Sequence, residues 1–126
     1  MPKNIDSVII KEPIKKKVLT LEFEEGDNVL ACIKEGLAQN GVKECDVVQV
    51  DGVLTRAVVN TFEGSKFKKI EFSNQRILRA SGHFKIGGGD LWGNMNIFTE
   101  GRKPISGTVV SAIASQGFLI KFSFLP

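Results

Sequence analysis

Imidazole and thiol groups are scarce in this chain, which has one histidine, His83, and two cysteines, Cys32 and Cys45. A zinc site needs several converging Cys, His or carboxylate ligands, and no HxH, HxxxH or CxxC pair is present to seed one. His83 is also the only histidine that could act as a base, and none of Ser81, Ser106 or Ser111 lies in a nucleophile-elbow context, which argues against a serine hydrolase. The two cysteines are too far apart for a redox CxxC pair. They could form a disulfide, but two free thiols in a reducing cytosol is the plainer reading. No apolar run approaches the roughly 20 residues that span a bilayer. The first residues, MPKNIDSVIIKEPIKKK, scatter charge where a secretory signal would be apolar. A cytoplasmic location with no membrane partner is expected.

What is present is ordinary globular composition, with 42% hydrophobic and 25% charged residues over 126 positions, enough for one core. The net charge is +3, below what a dedicated DNA-binding module of this size carries. The cations are unevenly spread: Lys15, Lys16 and Lys17 form a run, and Lys66, Lys68, Lys69, Arg76, Arg79 and Lys85 thicken the middle. Solvated strand faces account for such clusters, and low-affinity phosphate contact is the functional alternative.

Along the chain, residues 17–23 (KVLTLEF) alternate apolar and polar, the period of a half-buried strand. After a turn at 24–26, Asp27 or Asn28 can cap a helix whose apolar positions Val29, Leu30, Ile33 and Leu37 recur at helical spacing. Gly41 can close that helix in the left-handed conformation. Strands are predicted over 47–53, 56–62, 67–72, 77–86, 91–99, 108–114 and 118–124, with a hairpin turn at 63–65. Gly82 marks a bulge or a close backbone approach. One helix followed by many antiparallel strands gives an α+β fold, a mostly antiparallel sheet with one main helix packed on it. Residues 1–16 read as an N-terminal extension and 17–126 as a single domain. The end of the chain, FLIKFSFLP, is apolar enough to need either a central place in the sheet or a partner subunit, which points to oligomerisation.

The glycine cluster Gly87-Gly88-Gly89-Asp90 lacks the helix and Gly-Lys-Ser/Thr ending of a phosphate loop, and the alternation of LWGNMNIF after it makes it a hairpin turn. Glu24, Glu25 and Asp27 sit at a strand-to-helix turn, where capping explains them.

The order of these parts resembles the PPC (plants and prokaryotes conserved) domain family. The resemblance rests on a strand, a Gly-Asp-led helix and a strand ending at Val50-Asp51-Gly52. It continues with QRILRASGHF, in which Ile77, Leu78, Ser81 and Gly82 match, and with the closing strands of LWGNMNIFTEGRKPISGTVVSAIASQGFLIKF. It covers residues 17–124 and implies a homotrimer; with a single histidine, no cofactor is expected. Plant relatives pair the domain with AT-hooks. The Arg-Gly-Arg core of an AT-hook is missing from this sequence, so strong DNA binding does not carry over. Many prokaryotic members have a His-x-His pair and a further histidine as a metal trio. Those positions fall on Asn94, Asn96 and Thr108, which are poor zinc donors. Trp92 and His83, on neighbouring strands, could supply an aromatic wall and a titratable group to a pocket there.

Three readings follow. The preferred one is a non-catalytic, homotrimeric binding protein of unknown ligand. The second is a DNA-associated regulator acting weakly through Lys15, Lys16, Lys17 and the region of Lys66, Lys68, Lys69, Arg76 and Arg79. The third is a small-molecule binder or enzyme using a subunit-interface pocket at Asn94, Asn96, Thr108 and His83.

Overall fold

The computed structural model describes residues 16–125, so Lys15 lies outside the described residues. The elements are β1 (Lys17–Glu22), α1 (Val29–Gln39), β2 (Glu44–Glu63), β3 (Lys66–Gly87), β4 (Asp90–Thr99), β5 (Ile105–Ala114) and β6 (Leu119–Phe124). Among the described residues, one helix and a wholly antiparallel sheet match the α+β expectation. The sheet runs β1-β6-β2-β3-β4-β5, and β5 returns to pair with β2, so β2 to β5 close into a ring around the core.

Closure is possible because β2 and β3 are long, at 20 and 22 residues, and change neighbours along their length. The first half of β2 pairs with β6 (Asp46↔Ser123 to Asp51↔Leu119), and the second half with β5 (Leu54↔Ala114 to Asn60↔Thr108). The change falls at Gly52, whose φ of +121° is open to glycine, and where an added Cβ would stand 2.9 Å from Phe118 Cα. Each long strand reads in sequence as two short ones. Apolar alternation lapses at 54–55 and 73–75 because the strands bend there, yet hydrogen bonding continues through Leu54↔Gln75 and Arg56↔Ser73. Asn74 takes a φ of 53° at this bend. The bulge in β3 lies between Ile77 and Arg79, not at Gly82, which instead is a close approach to the Asn94 carbonyl.

Of the two candidate caps, Asn28 holds the helix: its Oδ1 accepts the Ala31 N–H at 3.1 Å, while Asp27 closes the preceding turn by accepting from Glu24 N–H at 2.9 Å. The helix buries Val29, Ile33 and Leu37 against the open side of the ring. Each such side chain contributes about 1.5–3 kcal/mol by leaving water.

The apolar final strand, β6, is central, between β1 and β2, with Phe118, Ile120 and Phe122 fully buried. Phe122 meets Phe84 edge-on at 5.9 Å. One chain therefore hides Ile120 and Phe122 completely, while Leu119 and Phe124 are half-buried. Of the two alternatives read from its apolarity, a central place in the sheet is the one that accounts for its buried residues.

Candidate functional site

On β3, β4 and β5 the pleat sends Phe84, Met95, Ile97, Ile105 and Val109 into the core. The alternate residues face out, and their register aligns them in two rows. One row runs His83, Asn94, Thr108 and Asn60; the other runs Ser81, Asn96 and Ser106. Thr108 Oγ1 donates to Asn94 Oδ1 at 2.9 Å, and Ser106 Oγ donates to Asn96 Oδ1 at 2.5 Å. Asn96 Nδ2 in turn donates to Ser81 Oγ at 3.4 Å, so one amide ties three strands together. The curl that brings β5 onto β2 beside these rows depends on Gly107, where a Cβ would run into the Asn60 carbonyl.

Of the five residues expected to form a pocket, His83, Asn94 and Asn96 line one shallow depression, together with Phe62 and Ser106. Thr108 joins them through its bond to Asn94. Trp92 shares the outward face of β4 with both asparagines and is 61% exposed, but it stands beyond the depression, opposite Lys85.

His83 is committed elsewhere. Its Nδ1 lies 2.8 Å from Asp46 Oδ1 and its Nε2 lies 2.7 Å from Glu44 Oε1, both on β2. The hydrogen bond that the ring donates to Asp46, against a smaller opposing effect of desolvation and with help from Glu44, holds the ring's pKa above its ordinary value. A ring with both nitrogens engaged and a preference for the cation is a strand clip, not a free base or metal ligand.

The thiols are equally quiet. Both cysteines are free. Burial, reinforced by Asp46, pushes Cys45 up to about 11, and burial with Asp27 and Glu35 raises Cys32.

The metal trio of the PPC resemblance does not fit this face. Asn94 and Asn96 spend their carbonyl oxygens on hydroxyl donors of β5, and Thr108 spends its proton on Asn94. Neutral amide and hydroxyl oxygens are weak partners for a borderline-soft ion. Among the described residues, no group of three His, Cys, Asp or Glu side chains could hold a metal ion.

The basic residues singled out in the sequence are dispersed. Lys16 and Lys17 stand at the start of β1, and Lys66, Lys68 and Lys69 lie on the β2–β3 hairpin. Arg76 pairs with Asp51 at 3.4 Å, and the Arg79 guanidinium stacks over Phe98 at 4.3 Å. The fold adds two further cations. Arg102 and Lys103, between β4 and β5, come to line a groove with Lys68.

No protein-family model matches this sequence, and no curated protein matches it. Solved structures do. The chain superimposes on a plant- and prokaryote-conserved (PPC) protein from Pyrococcus horikoshii with a TM-score of 0.67, at 14% identity, covering 94% of this chain and 85% of that one. The fold is that of the PPC domain. A metal-containing protein from Archaeoglobus fulgidus shares it, with a TM-score of 0.68, 19% identity and coverage of 87% and 79%. So does a candidate DNA-binding protein from Ralstonia eutropha JMP134, with a TM-score of 0.63, 14% identity and coverage of 93% and 81%. Against this PPC frame, the chain keeps the ring-shaped sheet and capping helix while presenting amides and hydroxyls at the three positions discussed above. No helix among its described residues is long and apolar enough to cross a membrane.

Proposed function

We propose that this chain is a non-catalytic, cytoplasmic PPC-type binding protein that assembles as a homotrimer and associates with DNA at low affinity. The observation that carries the assembly is a neutral polar patch bordered by the Glu44–His83–Asp46 clip. In a protein with 25% charged residues, Ser81, Asn94, Asn96, Ser106 and Thr108 form a continuous neutral patch joined by three internal hydrogen bonds. It is flanked by Trp92, 61% exposed, and Val110, 46% exposed. Neutral side chains beside an exposed aromatic are the composition of an interface core, and side chains already paired with one another lose less when covered. The number of copies follows from the PPC resemblance.

Light scattering coupled to gel filtration tests this. The expected mass is three times 13.8 kDa, and Asn96→Arg should reduce it to one chain with the fold intact. Trp92 is the only tryptophan, so its emission should shift to shorter wavelength as copies associate. A monomer at micromolar concentration with concentration-independent emission would refute the assembly. DNA association has its support in the basic β2–β3 hairpin and in the similarity to the Ralstonia protein. Its check is duplex binding that falls steeply as salt is raised.

A further inference from the structure

The end of the β2–β3 hairpin carries two phenylalanines in water. Phe67 is 76% exposed and Phe62 62% exposed, directly opposite each other across the strand pair. Their rings meet edge to face, with centroids 4.7 Å apart and planes at 88°. This geometry leaves ring face open to a further flat group. Phe62 is also one wall of the groove that runs between the hairpin and the β4–β5 turn. The groove encloses about 480 Å³, with Ile70 contributing apolar surface and Lys68, Arg102 and Lys103 along its sides. Among the described residues no carboxylate lines it. Lys66 and Lys69 stand exposed on the same hairpin.

Open aromatic faces, beside a groove whose described lining holds cations and no carboxylate, supply the two components of single-strand recognition: bases stack on rings while phosphates follow the charge. We infer that this groove binds single-stranded nucleic acid, with Phe67 and Phe62 as the stacking platform and Arg102 and Lys103 as phosphate contacts. A duplex offers its bases only edge-on in its grooves, so it could use the cations but not the ring faces. Phe62 lines the groove with Arg102 and Lys103, two residues before the Gly64-Ser65 turn at the tip of the hairpin. The inference rests on the reading that this chain associates with DNA and narrows it from backbone contact to exposed bases.

Fluorescence anisotropy with labelled oligo(dT), a duplex of equal length and phosphatidylserine vesicles tests it on the full chain. Oligo(dT) should bind more tightly than duplex. Phe67→Ala should weaken oligo(dT) binding roughly fivefold or more while leaving duplex binding unchanged. Lys103→Glu should weaken both and lower the salt slope for oligo(dT) by about 0.7 if one phosphate contact is lost. Both side chains are exposed, and circular dichroism will confirm that the variants fold. Equal affinity for duplex and oligo(dT), unaffected by Phe67→Ala, overturns the single-strand inference and leaves the DNA reading standing. Absence of binding to either removes both. Vesicle binding without oligo(dT) binding assigns the groove to lipid and overturns the inference as well.

Discussion

Gly93 on β4 lies directly against the ring of Phe84 on β3: a Cβ added at position 93 would fall among the ring carbons. The two are register partners across the β3–β4 ladder, and Phe84 is fully buried between this backbone and Phe122. The missing side chain is thus what makes room for one of the largest core residues.

Gly93→Ala should therefore destabilise the fold as an overpacking change, by about 1–3 kcal/mol or more, since neither backbone nor ring can retreat. Urea denaturation should show a lower midpoint with an unchanged slope. A midpoint equal to that of the parent would mean that the ring has another place to go.

The clip formed by Glu44, His83 and Asp46 gives stability a pH dependence of definite sign. The folded-state pKa of His83 is raised above the ordinary value of 6.5. Its contribution is complete below 6.5 and is lost as the pH climbs through the higher folded value. The side chain is 46% exposed, so the amplitude is small, about 0.2–1 kcal/mol. Thermal melts from mildly acidic to mildly alkaline pH should show this decline, and His83→Gln should flatten it.

Cys45 should resist iodoacetamide in the native protein at mildly alkaline pH, since burial and Asp46 keep its pKa at about 11. Cys32, half-buried on the helix, should react before it but more slowly than a free thiol. Mass spectrometry of quenched aliquots would show the order, and denaturant should abolish the difference. Rapid alkylation of Cys45 without denaturant would contradict the burial of β2.

The neutral face should accept a metal if given the chemistry. Asn94 and Thr108 are cross-strand partners, with Cβ atoms expected about 4.5–5.5 Å apart, and Asn96 lies on the same face, about 7 Å along the strand. Asn94→His, Asn96→His and Thr108→His together should place three imidazoles within reach of one ion. The triple variant should retain zinc through gel filtration, measured by elemental analysis, and lose it to chelator. The parent chain, whose amides are tied to hydroxyls, should retain none.

The course of the chain was largely legible in the sequence because period-2 and helical patterns state burial directly: the helix at Val29, the hairpin turns and the terminal strand all follow from it. Two things were not legible. The bends in β2 and β3 look like strand ends, since a bent strand loses alternation without losing its hydrogen bonds. The closure of β5 onto β2 is a long-range pairing with no local signature beyond a glycine at 107. At the site, the sequence pointed to Asn94, Asn96 and Thr108 through the resemblance, and the register does bring them together. It could not show that His83 turns toward Glu44 and Asp46, because their facing depends on how residues 44–47 pair with residues 82–85. Nor could it show that Arg102 and Lys103 meet the hairpin, since the two turns are joined only by the curl of the sheet.

The place of β6 has a consequence for biosynthesis. Among the described residues, β1 has no sheet neighbour except β6, which the ribosome makes after every other element of the domain. Until residues 119–124 emerge, β1 has no ladder to join and Phe84 lacks its aromatic neighbour. Such a domain closes like a clasp: its first strand waits on its last, and a nascent chain stalled shortly before Leu119 would expose the ring's interior to chaperones.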